Sequence, residues 1–159
     1  MNGLTIDWAS GEADIDAIQA IDRVSFTHPW TREMYEQERR QPDRSFLAVC
    51  RTDGTGVAGY ISFWLIVDEV HINNVAVRPE SRGTGVGRRL VEFALEYGAR
   101  RGAAVALLEV RRSNLTARRL YERLGFRQLG VRTGYYADPV DDALVLTKDI
   151  RNLEEHPAT

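Results

Sequence analysis

Between Val77 and Gly98 the chain reads VRPESRGTGVGRRLVEFALEYG, with glycines 83, 85 and 87 at alternate positions, arginines on both sides and an amphipathic run behind them. Glycine lets a backbone turn tightly and approach a ligand. A helix that starts on such a turn points unpaired N–H groups and a positive dipole end at one spot, which suits a phosphate. Two nucleotide templates fail on spacing. A dinucleotide fingerprint needs a third glycine where Arg88 or Leu90 stands, and a Walker-type loop needs Gly-Lys-Ser/Thr, whereas the single lysine is Lys148. A phosphate-binding helix start assisted by Arg82, Arg88 and Arg89 remains, against the plainer alternative of a glycine cap with solvated arginines.

Other residue types suited to chemistry follow. Glu109 closes the apolar run Ala103 to Val110. A carboxylate at the end of a buried strand is desolvated, which raises its pKa and suits a base working near neutrality; a solvated strand-end glutamate is the competing reading. Asn114 and Tyr121 are seven residues apart and share one helical face. Taken alone, Tyr121 reads as an aromatic packed on Ala117 and Leu124. On the stretch from Glu69, strand alternation sets His71 and Asn73 on one face and Asn74 on the other. Three scattered histidines and one cysteine argue against a metal site and exclude an internal disulfide. Cys50, inside Phe46 to Cys50, reads as a buried structural thiol.

These side chains need elements to position them. Leu4 to Trp8 reads as a weak first strand. Asp14 to Phe26 carries Ile15, Ile18 and Ile21 at helical spacing. Thr31 caps a second helix reaching about Arg40. Ser45 to Arg51, Val57 to Val67 and Val70 to Val77 read as strands, the first two joined by a hairpin loop at Thr52 to Gly56. Gly87 to Arg101 is a helix and Ala103 to Val110 a buried strand. Ser113 or Asn114 caps a helix that stops at Leu124-Gly125. Phe126 to Tyr136 and Ala143 to Lys148 complete the chain. The order β-α-α-β-β-β-α-β-α-β-β predicts an α/β fold with a mixed sheet.

A chain of 159 residues fits one domain, expected over residues 1–150, with 151–159 a polar tail. No stretch approaches a membrane span, and the start lacks a basic-then-apolar signal pattern, so a cytoplasmic protein is expected. The net charge of −2 hides an uneven distribution: −6 over residues 1–77, +8 over 78–132 and −4 over 133–159. An anion-binding centre lies between acidic flanks suited to a cationic partner. Arg-Arg pairs invite a nucleic-acid reading, but adjacent residues on a helix diverge by about 100° and no aromatic RNA-binding signature interleaves them.

Arg82-x-x-Gly85-x-Gly87 resembles the turn that holds the CoA pyrophosphate in the GNAT superfamily of acetyl-CoA-dependent N-acetyltransferases. LLEVRRSNLTARRLYERLGF (107–126), GYYADPVDDALVL (134–146) and PWT (29–31) resemble segments of its RimI-type N-terminal acetyltransferases. The resemblance implies a GNAT fold, with a mixed, mostly antiparallel sheet of about seven strands flanked by four helices. It implies acetyl-CoA as cofactor and, as acceptor, the α-amine of a protein N-terminus, expected to be a ribosomal protein. A small-molecule amine, a lysine or a wider set of N-termini is the alternative. It also implies roles. Glu109 is the base, and Tyr121 the acid that protonates the departing thiolate. Asn114 and Tyr121 contact the cofactor, whose pyrophosphate lies on Arg82, Gly83, Thr84, Gly85, Val86, Gly87 and Arg88. Val75, Ala76 and Val77 pair with the pantetheine arm like an added strand, one N–H polarising the thioester carbonyl. Trp30, Tyr135 and Tyr136 fall on the acceptor side. Glu69 and His71 are candidates for that side by their own chemistry, either one able to act as a second base through water. Asp138, Asp141 and Asp142 form an acidic rim. A monomer or weak dimer is expected, without metal, membrane or direct nucleic-acid contact.

Overall fold

In the computed structural model, which describes residues 3–53 and 56–153, one seven-stranded sheet runs in the order β1-β2-β3-β4-β5-β7-β6. The elements are β1 (Leu4–Trp8), α1 (Gly11–Ser25), α2 (Arg32–Arg39), β2 (Ser45–Thr52), β3 (Gly56–Ile66), β4 (Glu69–Val77), α3 (Val86–Arg100), β5 (Val105–Arg111), α4 (Leu115–Arg123), β6 (Arg127–Ala137) and β7 (Val140–Asp149). Every pairing is antiparallel except β4 with β5. This is the mixed sheet with four helices that the element order predicts.

Two apolar layers hold the helices on opposite faces. On one face α3 buries Val86, Leu90, Val91, Ala94 and Leu95 against Val70, Ile72 and Ala106, and Tyr121 of α4 joins the same cluster. On the other, Ile15, Ile18 and Ile21 of α1 and Tyr35 of α2 pack on Val49, Tyr60 and Ala76. α1 begins at Gly11, ahead of the predicted Asp14; Ser10 is its N-cap residue, and the Asp14 carboxylate inside the first turn reaches back to accept the Ser10 N–H at 2.8 Å. Thr31 caps α2 as predicted, accepting the Met34 N–H. Part of the predicted Thr52–Gly56 loop, residues 54 and 55, lies outside the described residues, as does the tail from 154. No described helix is long and apolar enough to cross a membrane.

Two features shape the centre of the sheet. The parallel pairing of β4 with β5 runs from Glu69–Val105 to Ile72–Leu108 and stops. β4 nevertheless continues to Val77 along β3, and β5 to Arg111 along β7. Each strand follows its own antiparallel partner, so their ends part. The second feature is a bulge. Ser62 pairs with Asn74 but Phe63 pairs with Ile72, leaving Asn73 as an extra residue in β4. Bulges bend a strand and increase its twist, which helps turn β4 away from β5. The bulge also corrects the simple alternation: His71 and Asn74 share a face, opposite Trp64 and Ser62 respectively.

Candidate active site

The glycine turn leaves β4 through a short 3-10 turn, Pro79–Ser81. Gly83 and Gly85 then adopt positive φ of 78° and 90°, a region that costs other residues steric strain. Gly85 is the N-cap of α3 and no side chain caps the helix. The first helical bond runs from the Arg89 N–H to the Gly85 carbonyl at 3.0 Å. The N–H groups of Val86, Gly87 and Arg88 therefore lie ahead of the helical ladder. A Cβ built on Gly83 or Gly85 would meet nothing within 4 Å, so the backbone is bare on its outer side. The geometry fits a diphosphate. Among the charges, Arg82 Nε donates to the Val77 carbonyl at 3.2 Å, which tethers its guanidinium at the end of β4, and Arg88 pairs with Glu92 at 3.5 Å.

The turn opens onto the gap between β4 and β5. Val75, Ala76 and Val77 pair with β3 on one side and have no β5 neighbour on the other, so part of their backbone hydrogen-bonding edge faces the gap. The Asn73 Nδ2, at the point of divergence, is buried without a hydrogen-bond partner. Across the gap stand Glu109 and α4. Asn114 is the N-cap of α4, and its Oδ1 accepts the Ala117 N–H at 3.2 Å; the amide NH2 group is the part left for a ligand. Tyr121 is 7% exposed and packs edge-on against Phe126. Burial, with a smaller contribution from Tyr136, pushes its hydroxyl up to about 12, so it is protonated at any physiological pH.

Glu109 departs from expectation. It is exposed, with 34% of its side-chain surface open, and its carboxylate pairs with Arg132 Nε at 2.8 Å. Its carboxylate reaches solvent where β5 has run out of its β4 neighbour, one residue earlier. The register sets Leu107 beside His71, so Glu109 lies two residues further along the face that carries His71. His71 Nε2 meets Glu69 Oε1 at 3.0 Å. The pair thus stands at the closed end of the gap and Glu109 at its opening.

Two segments border that face. Trp30, between α1 and α2, packs against Tyr35 at 5.4 Å. Tyr135 and Tyr136, near the end of β6, stack edge-on at 5.1 Å, with Arg111 over the Tyr136 ring at 4.2 Å and Arg132 over Tyr135 at 5.7 Å. The segments approach where His28 Nε2 and Asp138 Oδ2 stand 3.9 Å apart. The acidic rim needs correction. β7 starts at Val140, not Ala143, and Asp141 and Asp142 are strand residues. Asp141 accepts the Ser113 N–H and hydroxyl, while Asp142 accepts the Gly134 N–H and pairs with Arg112. Asp138 is left as the rim carboxylate facing solvent.

Comparison with known proteins identifies the family. Residues 15–126 match the Acetyltransferase (GNAT) family. The chain belongs to that family. Like other GNAT proteins it is an acetyl-CoA-dependent N-acetyltransferase. The Escherichia coli ribosomal protein bS18-alanine N-acetyltransferase is 30% identical over 139 residues, covering 86% of this chain and 92% of its own. A Bacillus subtilis relative is 37% identical over 133 residues, 84% of this chain and 87% of its own. Among solved structures, that of the E. coli ribosomal-protein-S18-alanine N-acetyltransferase superposes with a TM-score of 0.83 over 92% of this chain and 94% of that one, at 30% identity. Ard1 from Thermoplasma volcanium gives 0.82 over 92% and 97%, at 27% identity.

In this GNAT acetyltransferase the structure therefore gathers the glycine turn, the β4 edge, Asn114, Tyr121 and Glu109 around one gap. Trp30, His71, Tyr135 and Tyr136 lie about the adjoining face. Sequence reasoning missed Arg132, whose contact with Glu109 crosses β7, and Arg111, whose stacking on Tyr136 needs the β5–β7–β6 register. It also missed Gly59. A Cβ there would stand 2.8 Å from the Ala76 carbonyl and 2.9 Å from Val86 Cγ1, so this glycine admits the start of α3 close to the sheet. An isolated glycine within a strand pattern was the available signal.

Proposed function

We propose that the protein acetylates the α-amine at the N-terminus of a protein, a ribosomal protein in the first instance. The observation that carries this reading is the identity to the E. coli bS18-alanine N-acetyltransferase, 30% over 86% of the chain, which reaches beyond the cofactor half. Acceptor chemistry agrees. Roughly a tenth of α-amines are neutral at pH 7, against well under a thousandth of lysines. Such an acceptor needs only modest help in losing a proton, and an exposed Glu109 can take it directly or through water.

Acetyl-CoA supplies the acetyl group as an activated thioester. Gly83, Thr84, Gly85, Val86, Gly87 and Arg88, with Arg82, hold the diphosphate. Val75, Ala76 and Val77 pair with the extended arm, and a β4 N–H polarises the carbonyl under attack. The Asn114 amide binds the cofactor from α4. Glu109 receives the amine proton as the C–N bond forms; Tyr121 gives its proton to the sulfur as the C–S bond breaks. The Glu69–His71 pair is the second route for the amine proton, through water. Trp30, Tyr135 and Tyr136 wall the acceptor, with Asp138 favouring a basic residue nearby.

The test is mass spectrometry of peptides with free and blocked N-termini incubated with acetyl-CoA. An added acetyl group on the first residue, absent from the blocked peptides, is expected. Modification of internal lysines or small amines alone would overturn the assignment.

A further inference from the structure

Asp22, on the last turn of α1, has no exposed surface, and the chemistry above gives it no task. Tyr35 of α2 donates its hydroxyl to one carboxylate oxygen and Tyr60 of β3 donates to the other. The main-chain N–H of Trp30 also favours the charged form. Tyr60 pairs with Ala76 near the end of β4, and Tyr35 packs on the Trp30 ring. One carboxylate therefore ties α1, α2, β3 and the loop that carries Trp30. Burial pushes the Asp22 carboxyl up, against the pull of the two tyrosines, so a charge here works against folding. Apolar side chains of similar volume would hold the helices at least as firmly. What the carboxylate adds is a defined position, because its two oxygens accept hydrogen bonds of fixed direction from α2 and β3, beside the main chain of Trp30.

We propose that Asp22 is a positioning residue for the acceptor, fixing Trp30 and the α1–α2 loop over the sheet face that carries His71 and Glu109. The arriving amine then meets a preformed wall rather than one ordered at the expense of binding energy. This rests on the reading of a protein N-terminus as acceptor and of Trp30 as part of its wall.

The experiment compares the unaltered full chain with Asp22→Asn, Tyr35→Phe and Ile18→Val. The peptide and acetyl-CoA concentrations are varied separately, and Tm is measured alongside. Asp22→Asn is expected to raise the peptide KM about five-fold or more while the acetyl-CoA KM stays within about two-fold. Tyr35→Phe is expected to do the same to a smaller degree, and it decides the matter if Asp22→Asn does not fold. Ile18→Val opens a small cavity on the same helix; it should lower Tm and leave both KM values alone. An unchanged peptide KM in the folded variants, or peptide and acetyl-CoA KM rising together, would overturn the proposal. Failure of the acceptor reading looks different, since the unaltered chain would then acetylate no peptide N-terminus, and the proposal would fall with it.

Discussion

In the proposed reaction Glu109 and Tyr121 divide the proton traffic by their surroundings. One is an exposed carboxylate beside Arg132; the other is a buried phenol whose proton is held tightly. Glu109→Gln should lower kcat about a hundred-fold and leave the acetyl-CoA Kd within about two-fold, as read by steady-state kinetics and calorimetric titration. Tyr121→Phe should behave alike, because it keeps the packing on Phe126 and removes only the hydroxyl. Unimpaired turnover in either variant would deny that residue its role. Both residues were visible in the sequence as chemistry-bearing types beside recognisable elements. The exposure of Glu109 was not. It depends on where the β4–β5 ladder ends, and no local pattern encodes that. Arg132 was hidden for the same reason, since its approach to Glu109 is set by pairing of both strands with β7.

At the level of elements, the glycine turn and α3 behave as one part. Gly85→Ala would force an alanine to φ near 90°, a strain of about 1–2 kcal/mol, and add a methyl on the bare side of the turn. Acetyl-CoA should bind at least ten-fold more weakly, with a smaller loss in stability, by calorimetry and urea unfolding respectively. Gly59→Ala acts from behind, pressing on the Ala76 carbonyl and Val86. It should cost about 1–3 kcal/mol by urea unfolding, through overpacking rather than through a lost ligand contact. The turn was legible because glycine spacing and the helix behind it are local signals. The bulge at Asn73 was not, because its strand residues look regular until paired with β3. The start of β7 was misjudged because Asp138-Pro-Val-Asp-Asp has the composition of a loop. The structure instead uses Asp142 to bind Gly134 within the β6–β7 hairpin and Asp141 to bind Ser113 in the turn before α4.

Across the whole molecule, the element order predicted from periodicity matches the observed chain of strands and helices, and the parting of two central strands gives that order its use. The buried phenols make alkaline stability a global property. Tyr35, Tyr60 and Tyr121 are all pushed above the ordinary value of 10, chiefly by burial. The folded state thus holds protons that the unfolded state releases near pH 10. Their stabilisation is complete below that pH and shrinks as pH rises toward 12. Ultraviolet titration should show these phenols ionising together with the loss of far-ultraviolet circular dichroism; ionisation of all six tyrosines with the fold intact would contradict it. The parted strands carry a different consequence. Amides along the open edge of β4 have only solvent to restrain them in the free protein, and a ligand lying in the gap finishes the ladder. Deuterium uptake at Asn74 to Val77 should therefore slow on adding acetyl-CoA, while Val70 to Ile72 change little. By mass action Tm should climb with acetyl-CoA concentration, so the resistance of this fold to unfolding is set in part by how much activated acetate surrounds it.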